Sequence, residues 1–288
     1  MKNTEVKLVE CPRDAMQGLH DYIPAEIKIE YIKQLLKVGF DTLDFGSFVS
    51  PKAIPQMRDT PEVTEAIDLS NTKTKLLAIV ANQRGAESAV AYSKIAYLGF
   101  PFSISETFQQ RNTNSSIETS LQTVKDIQKI CADSQKKLVV YISMAFGNPY
   151  GDAWNTGIAK DWCRKLYEQT GTDILALSDT IGVSNRQNIQ ELFSDLIPAL
   201  PPVEFGAHLH STPDTVIEKV EAAYQAGCRR FDGAIKGFGG CPMAKDDLTG
   251  NMPTELMIQW FNQNNIGINI DEQEFQKSIT KAIEVFPK

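Results

Sequence analysis

The sequence contains no apolar run close to the roughly 20 residues that span a bilayer, and its first residues form no apolar secretory core. It also lacks a dinucleotide-binding glycine fingerprint and a Walker-type phosphate loop. Acidic residues outnumber lysine and arginine by 36 to 29, and this charge balance argues against nucleic acid or an anionic membrane as the main partner. These absences favour a cytoplasmic enzyme that binds a small molecule.

Cysteine and histidine are both scarce. The five cysteines are widely spaced and form no CxxC pair, which predicts free thiols in a reducing compartment rather than disulfides or a structural zinc site. Three of them, Cys131, Cys163 and Cys228, are interpreted as small buried apolar residues. The chain has three histidines. His20 lies in a predicted loop and is assigned no role. His208 and His210 are therefore the two candidate functional histidines.

Predicted strands and helices alternate along the whole chain. The predicted strands cover residues 6–9, 42–45, 75–80, 94–98, 137–143, 172–180, 203–210 and 229–235. Eight such strand–helix units within about 270 residues predict a (β/α)8 TIM barrel. We predict a single catalytic domain over residues 1–288, with an extra helix at the C-terminus. A doubly wound open sheet with an added lobe is the alternative, because local patterns do not reveal closure.

Capping residues mark several helix boundaries. Apolar residues recur at helical spacing over residues 24–38, and Gly39 is the predicted C-terminal cap. Thr60 is the predicted N-cap of the next helix, with a proline at its first position. Ser115 and Asp271 each precede a glutamate at capping-box spacing and are predicted to begin two later helices.

Nearly every predicted strand ends in polar residues. In a (β/α)8 barrel these ends meet at one face, where active sites form. The residues predicted there are Arg13, Asp14, Asp44, Ser47, Asn82, Ser105, Glu106, Ser143, Asp179, Thr180, His208 and His210. Each of them could separately be a helix cap or a surface residue, but their shared position favours a common site.

His208 and His210 are two residues apart on a predicted strand, so their side chains point to the same face. With one carboxylate they would form a metal site of nitrogen and oxygen ligands, which suits Mg, Mn, Fe or Zn. Asp14 is the preferred carboxylate because Arg13 beside it could hold a second anionic group. Hydrogen-bonded core histidines and a local Arg13–Asp14 surface ion pair are the competing interpretations.

A glycine-rich loop, residues 237–251, follows the eighth predicted strand and contains Cys241. Glycines give this loop backbone angles that other residues avoid. A thiol in such a loop can act in proton transfer or as a nucleophile if its pKa is lowered. An incidental loop cysteine is the competing interpretation.

The segment GFGGCPMAKDDLTGN in this loop resembles the signature of the 3-hydroxy-3-methylglutaryl-CoA (HMG-CoA) lyase family. The resemblance extends over almost the whole chain through PRDAMQ, SFVSPKAIPQM, NSSIE, SDTIGV and AHLH, in the order and spacing of the family. It implies a (β/α)8 barrel that cleaves an acyl-CoA substrate to acetyl-CoA and acetoacetate with Mg or Mn. A homodimer is expected, since the family is often dimeric.

The resemblance also implies roles for individual residues. Metal ligands would be Asp14, His208, His210 and Asn251. Arg13 would stabilise the enolate oxygen, Cys241 would take part in proton transfer on a loop that closes over the substrate, and His208 or Asp14 would be the base. Substrate-binding positions would be Arg13, Gln17, Asp44, Ser47, Ser105, Asp179 and Thr180.

Some positions depart from the family pattern. Ser211 stands where an aspartate is common, Cys11 where glycine is usual, and the loop carries the acidic pair Asp246–Asp247. These departures leave the exact acyl-CoA open. A related Claisen-type synthase, an aldolase of 4-hydroxy-2-oxo acids, and a catalytically weak acyl-CoA-binding barrel remain as alternatives.

Overall fold

The computed structural model describes residues 5–240 and 249–286. Eight parallel strands follow one another along the chain: β1 (Lys7–Glu10), β2 (Thr42–Ser47), β3 (Lys75–Ile79), β4 (Ile95–Ser103), β5 (Lys137–Ser143), β6 (Ile174–Asp179), β7 (Glu204–Ser211) and β8 (Arg230–Gly233). A short strand, β9 (Gly250–Asn251), pairs antiparallel with β7. The eight parallel strands lie within one or two residues of their predicted positions at most ends.

Helices connect the strands and surround them. They are α1 (Pro12–Gln17), α2 (Ala25–Leu35), α3 (Thr60–Ala66), α4 (Gln83–Val90), α5 (Glu106–Thr113), α6 (Ile117–Asp133), α7 (Thr156–Thr170), α8 (Arg186–Ala199), α9 (Val216–Gln225), α10 (Thr254–Gln263) and α11 (Glu272–Val285). Two 3-10 turns cover Pro55–Met57 and Ile235–Gly237. Helix α11 is the C-terminal helix that follows the last strand–helix unit.

The sheet closes on itself. Each strand from β1 to β8 pairs with its neighbour in sequence, and β1 pairs in parallel with β8 through Leu8 and Phe231. A closed parallel sheet with helices outside it is a (β/α)8 barrel. The predicted fold is therefore confirmed, and the open doubly wound sheet is wrong.

Apolar residues fill two spaces. The larger core lies between strands and helices, and a smaller cluster that includes Leu77, Tyr97, Val139 and Tyr141 packs separately from it. Val139 and Tyr141 are two apart on β5 and share one face of the sheet, while Val140 between them belongs to the larger core. The smaller cluster therefore fills the inside of the barrel, beneath the carboxyl ends of the strands.

Several helix boundaries differ from the predicted ones. Helix α6 begins at Ile117 with Ser116 as its N-cap, so the predicted capping box at Ser115 is wrong. The N-cap of α3 is Asp59, one residue before the predicted Thr60. Helix α2 ends at Leu35, and the left-handed Gly39 (φ +93°) lies beyond it rather than capping it. Asp271 caps α11 as predicted, accepting hydrogen bonds from two main-chain nitrogens.

Strand β4 extends to Ser103, five residues past its predicted end. The predicted strand stopped before Gly99 and Pro101, two residues that usually interrupt strands. Gly99 faces the crowded barrel interior, where a Cβ atom would lie 2.5 Å from Cδ1 of Ile79. Glycine leaves room there for the side chains of Leu77, Ile79 and Tyr141 on the two neighbouring strands, and β4 continues through it.

Cys11, Cys131, Cys163 and Cys228 are buried and free, which agrees with the predicted free thiols. Burial raises the pKa of the Cys131 thiol to about 12, so this thiol is neutral at physiological pH. Within the described ranges, none of the helices has both the length and the apolar character needed to cross a bilayer.

Candidate active site

A cavity of about 390 Å³ opens at the carboxyl ends of the strands. Its polar wall includes Arg13, Asp14, Gln17, Ser143, Thr180, His208 and His210. Its apolar wall includes Val49, Ala53, Ile54, Ile79, Pro101, Phe108 and Tyr141. Six of the twelve polar residues predicted at this face line the cavity: Arg13, Asp14, Ser143, Thr180, His208 and His210.

His208 and His210 lie side by side on β7, with ring centroids 5.6 Å apart. Nδ1 of His208 lies 3.1 Å from Oδ2 of Asp232, and Nδ1 of His210 lies 3.1 Å from the main-chain oxygen of Thr180. Nε2 of His210 is buried and has no hydrogen-bond partner in the described part of the chain. A histidine held through one ring nitrogen by a carboxylate or carbonyl, with the other nitrogen unpaired, has the arrangement typical of a metal ligand.

Asp14 reaches the same point from helix α1. Its carboxylate accepts hydrogen bonds from Arg13 (2.9 Å), Gln17 (2.8 Å) and Asn251 (2.8 Å). Burial opposes ionisation, but the charges of Arg13, His208 and His210 and the bond from Asn251 lower the pKa of Asp14 to about 2. Asp14 is therefore ionised at neutral pH and can only accept hydrogen bonds or ligate a cation.

Strand β9 brings Asn251 beside His210, since the antiparallel register places these two residues opposite each other. The amide nitrogen of Asn251 donates to Oδ2 of Asp14 and to the main-chain oxygen of Phe238, each at 2.8 Å. Gly250 allows this approach, because a Cβ there would lie 2.3 Å from the Gly237 oxygen. The end of the glycine-rich loop is thereby fixed against the histidine strand.

Two overlapping groups of side chains could hold a cation. The ligand atoms of Asp14, His208 and His210 lie within 4.8 Å of one another, and so do those of Cys11, His208 and Asp232. In the second group, burial raises the pKa of the Cys11 thiol well above its ordinary value, which disfavours a thiolate ligand. The first group offers nitrogen and oxygen atoms, with Asn251 adjacent, and this set fits Mg or Mn. The residue types of the predicted ligand set are thus ones that can bind either cation.

Arg13 is held between two carboxylates. Its Nε lies 3.1 Å from both oxygens of Asp44, its Nη2 also donates to Asp44, and its Nη1 donates to Asp14. Burial lowers the pKa of Arg13, but the two carboxylates outweigh it and raise the pKa above its usual range. For Asp44, burial outweighs Arg13 and raises the pKa. A guanidinium has five N–H donors, so one N–H on each terminal nitrogen stays available to a ligand.

The remaining predicted substrate-binding residues divide into two sets. Gln17 and Thr180 line the cavity together with Arg13. Ser47, Ser105 and Asp179 do not line it; their side chains hold main-chain nitrogens and neighbouring side chains at the barrel rim instead. Asn82 and Glu106 likewise accept main-chain hydrogen bonds at the starts of helices. Their polar character therefore has a local structural explanation.

Cys241 and the Asp246–Asp247 pair lie outside the described residues. The chain just before them is close to the site. Gly240 lines the cavity, and a Cβ on Gly239 would lie 2.8 Å from the main-chain oxygen of Asp14. Both glycines have positive φ values, +127° and +84°, respectively. This part of the loop thus requires glycine for its conformation and for its approach to α1.

Sequence reasoning missed Asp232, which holds His208. One signal was available: Arg230 and Asp232 alternate on β8, and charges at a spacing of two share one face of a strand. Both are buried, at 1% and 2% exposure, respectively. The Thr180 main-chain oxygen that holds His210 carries no signal in the sequence.

Comparison with known proteins bears directly on these observations. The sequence model of the family described as HMGL-like matches residues 5–281. The chain belongs to the HMGL-like family. It is 33% identical over 259 residues to a hydroxymethylglutaryl-CoA lyase from Bacillus subtilis, covering 90% of this chain and 85% of that protein.

Two further similarities are informative. A 3-hydroxy-3-isohexenylglutaryl-CoA/hydroxy-methylglutaryl-CoA lyase from Pseudomonas aeruginosa is 32% identical over 269 residues, covering 93% of this chain and 88% of that protein. A solved HMG-CoA lyase from Acinetobacter baumannii, in complex with coenzyme A and 3-methylmalate, superposes with a TM-score of 0.90 at 27% identity, covering 99% of this chain and 92% of that one. The HMGL-like chain thus resembles carbon–carbon lyases over nearly its whole length.

Proposed function

We propose that this HMGL-like protein is a divalent-metal-dependent lyase that cleaves HMG-CoA, or a close 3-hydroxyacyl-CoA, to acetyl-CoA and acetoacetate by a retro-Claisen reaction. One observation carries the proposal: Asp14, His208 and His210 converge within 4.8 Å at the barrel mouth, beside Asn251. The similarity to HMG-CoA lyases over about nine-tenths of the chain supports the same reaction.

Asp14, His208, His210 and Asn251 would hold a Mg or Mn ion. Bound there, a divalent cation would supply a Lewis acid that lowers the pKa of the tertiary hydroxyl of the substrate. The unpaired Nε2 of His210 and the ionised Asp14 are the features that suit this role. The surrounding hydrogen bonds from Gln17 and Asn251 keep the Asp14 carboxylate in place.

A base must accept the hydroxyl proton, and His208 and Asp14 are the two candidates. Asp14 holds a proton weakly, because its pKa is about 2. Burial lowers the pKa of His208, but the hydrogen bond and charge of Asp232 outweigh it and raise that pKa. Either group would have to take the proton through an atom that is not bound to the cation, so both remain candidates for the base.

Arg13 would stabilise the negative charge that develops on the thioester oxygen. Asp44 fixes the plane of its guanidinium, and the two N–H groups left free can donate to an enolate oxygen. The thiol of Cys241 would then donate a proton to the enolate carbon, away from bulk water, which gives acetyl-CoA. Its chain neighbour Gly240 lines the cavity, which supports this assignment.

The apolar wall of the cavity bears on the substituent at carbon 3 of the substrate. Aliphatic and aromatic side chains line this wall, namely Val49, Ile54, Ile79 and Phe108. They offer more apolar surface than a methyl substituent would cover. The name of the Pseudomonas aeruginosa relative includes a 3-isohexenyl substrate as well as the methyl one. We therefore propose that the chain also accepts larger apolar 3-substituents.

A substrate panel tests this function against its alternatives. HMG-CoA and a 3-alkenyl analogue are incubated with the protein and Mg or Mn, and acetyl-CoA release is measured. Parallel reactions supply acetyl-CoA with 2-oxo acids, and 4-hydroxy-2-oxo acids alone. Acetyl-CoA consumption would favour a synthase, and cleavage of the 4-hydroxy-2-oxo acids would favour an aldolase. Metal binding without turnover would favour a catalytically weak barrel.

A homodimer and a cytoplasmic location remain predictions.

A further inference from the structure

Lys219 on helix α9 is a buried lysine, only 2% exposed. Its Nζ lies 2.8 Å from Oδ2 of Asp179, 2.7 Å from the main-chain oxygen of His210 and 3.3 Å from the main-chain oxygen of Gly182. Lysine is seldom buried unless its charge is paired. An ammonium has three N–H donors, and here each of them has an acceptor. The lysine therefore ties α9 to the ends of β6 and β7.

Two of these acceptors are linked to the ring of His210. The His210 oxygen belongs to the residue that carries the ring. Asp179 precedes Thr180, whose main-chain oxygen accepts from Nδ1 of that ring. Lys219 therefore bonds to the main chain of His210 and to the side chain of the residue before Thr180, one on each side of the His210–Thr180 hydrogen bond.

Asp179 transmits this restraint to the loop after β6. Its carboxylate also accepts from the main-chain nitrogens of Val183 (2.8 Å) and Ser184 (2.9 Å) and from the Ser184 hydroxyl (2.5 Å). Asp179 is 1% exposed, so without Lys219 it would be a buried carboxylate with no positive partner near it in the described structure. Such a group would take up a proton or shift toward solvent, and either change alters the bonds that hold the loop carrying Thr180.

We propose that Lys219 is a positioning residue that orients His210 toward the cation site from behind the strand. The assignment rests on the proposed function, because it presupposes that Nε2 of His210 ligates a cation. Groups that orient a metal-bound histidine typically change metal affinity by about 10–100-fold when removed. Lys219 acts through the backbone rather than on the ring, so a loss near the lower end, about tenfold, is expected.

Lys28 provides a matched control. It is also buried, at 3% exposure, and its Nζ binds a carboxylate, Asp59, and a main-chain oxygen, that of Gln56. Neither partner is a predicted cation ligand or is bonded to one. Replacing either lysine by methionine should destabilise the fold, but only one of them should change cation binding.

The test is a titration with Mn²⁺ alone, in which electron paramagnetic resonance measures the bound ion. Wild type, Lys219→Met and Lys28→Met are titrated, and the thermal unfolding of each protein is measured as well. We expect both variants to melt at lower temperature, Lys219→Met to bind Mn²⁺ about tenfold more weakly, and Lys28→Met to bind it within about twofold of wild type. Wild-type affinity in Lys219→Met would overturn the assignment. A wild-type protein that binds no Mn²⁺ would overturn the proposed function as well.

Lys219→Arg guards against a methionine variant that fails to fold. Arginine keeps the charge beside Asp179, but its planar fork cannot donate to three acceptors from one nitrogen. Because the charge is kept, the Lys219→Arg variant should stay folded. Because one acceptor loses its donor, Mn²⁺ affinity should fall severalfold, and the KM for Mn²⁺ should change more than kcat does. Unaltered Mn²⁺ affinity in Lys219→Arg would contradict the positioning role.

Discussion

Arg13 shows how single residues prepare the site before any substrate is bound. Two carboxylates fix it, and the residue lines the cavity. We expect Arg13→Lys to lower kcat by about 10²–10³-fold, because lysine keeps the charge but loses the fork that meets both Asp44 and the enolate oxygen. Steady-state kinetics of HMG-CoA cleavage measure this effect, and a Mn²⁺ titration serves as the control. A kcat close to that of wild type would remove Arg13 from the mechanism.

Cys241 is the second residue whose role can be tested directly. Replacing its thiol by a hydroxyl should leave the cation ligands unchanged, since the proposed ligands are Asp14, His208, His210 and Asn251. We expect Cys241→Ser to lose most of its turnover, about 10²-fold or more, because a hydroxyl is a much weaker acid than a thiol. Turnover and Mn²⁺ affinity are measured on the same preparation. Near-normal turnover would show that the thiol takes no part in proton transfer.

Glu10 is a buried carboxyl outside the active site. Its oxygens accept hydrogen bonds from the Ile235 main-chain nitrogen (2.8 Å) and the Thr254 hydroxyl (2.5 Å). Burial raises its pKa from 4.5 to about 8, and the two hydrogen bonds offset this only in part. The folded protein thus retains a proton that the unfolded chain releases above its own, lower pKa. The contribution of Glu10 to stability is full below pH 4.5 and falls as the pH rises to about 8.

Glutamine mimics the protonated acid but cannot ionise, so Glu10→Gln should remove this pH dependence. Relative to the variant, wild type should lose stability by up to about 1.4 kcal/mol per pH unit between roughly pH 5 and pH 8. Urea unfolding midpoints of both proteins at several pH values measure the difference. A difference that stays constant across this range would mean that Glu10 is ionised in the folded protein.

The site residues that the sequence predicted are those whose position follows from strand geometry. His208 and His210 share a face because strands alternate with a period of two, and Asp14 follows directly after a strand. Asp232, Lys219 and the Thr180 main-chain oxygen were not predicted. Each acts across a boundary between elements, and such contacts depend on the register of neighbouring strands and on helix packing, which local patterns do not determine.

Among the secondary-structure elements, β9 is the smallest and has a direct effect on the site. It places Asn251 opposite His210 only because Gly250 can pass close to Gly237. We expect Gly250→Ala to separate the two ends of the glycine-rich loop, to weaken Mn²⁺ binding by about tenfold or more, and to lower turnover accordingly. Gly267→Ala is the control, because a Cβ there meets no atom within 4 Å. Equal Mn²⁺ affinity in both variants would show that Asn251 is not required.

The sequence predicted all eight barrel strands but not two short helices or β9. The eight barrel strands are visible in the sequence as runs of apolar residues between turn signals. Helices α1 and α5, with 6 and 8 residues, were not predicted, since neither contains a full apolar stripe. Strand β9 has only two residues, and its existence depends on contact with β7 rather than on its own sequence.

At the scale of the whole molecule, closure of the barrel is what assembles the site. Arg13 and Asp14 follow β1, while the histidines lie on β7, almost 200 residues later. Pairing of β1 with β8, and of β8 with β7, brings them together. No local pattern encodes this closure; the number of strand–helix units and the family resemblance predicted it. Conversely, an open sheet would leave Asp14 and the histidines apart.

The proposed activity depends on whether the converging residues hold a divalent cation that is used to cleave HMG-CoA. The most direct measurement is acetoacetate formation from HMG-CoA by protein stripped of metal with a chelator and then titrated with Mn²⁺. We expect no cleavage before titration, and equal amounts of acetoacetate and acetyl-CoA once about one Mn²⁺ per chain is restored, with His210→Ala inactive throughout. HMG-CoA that stays intact at saturating Mg²⁺ or Mn²⁺, or cleavage that persists in the stripped protein, would contradict the account.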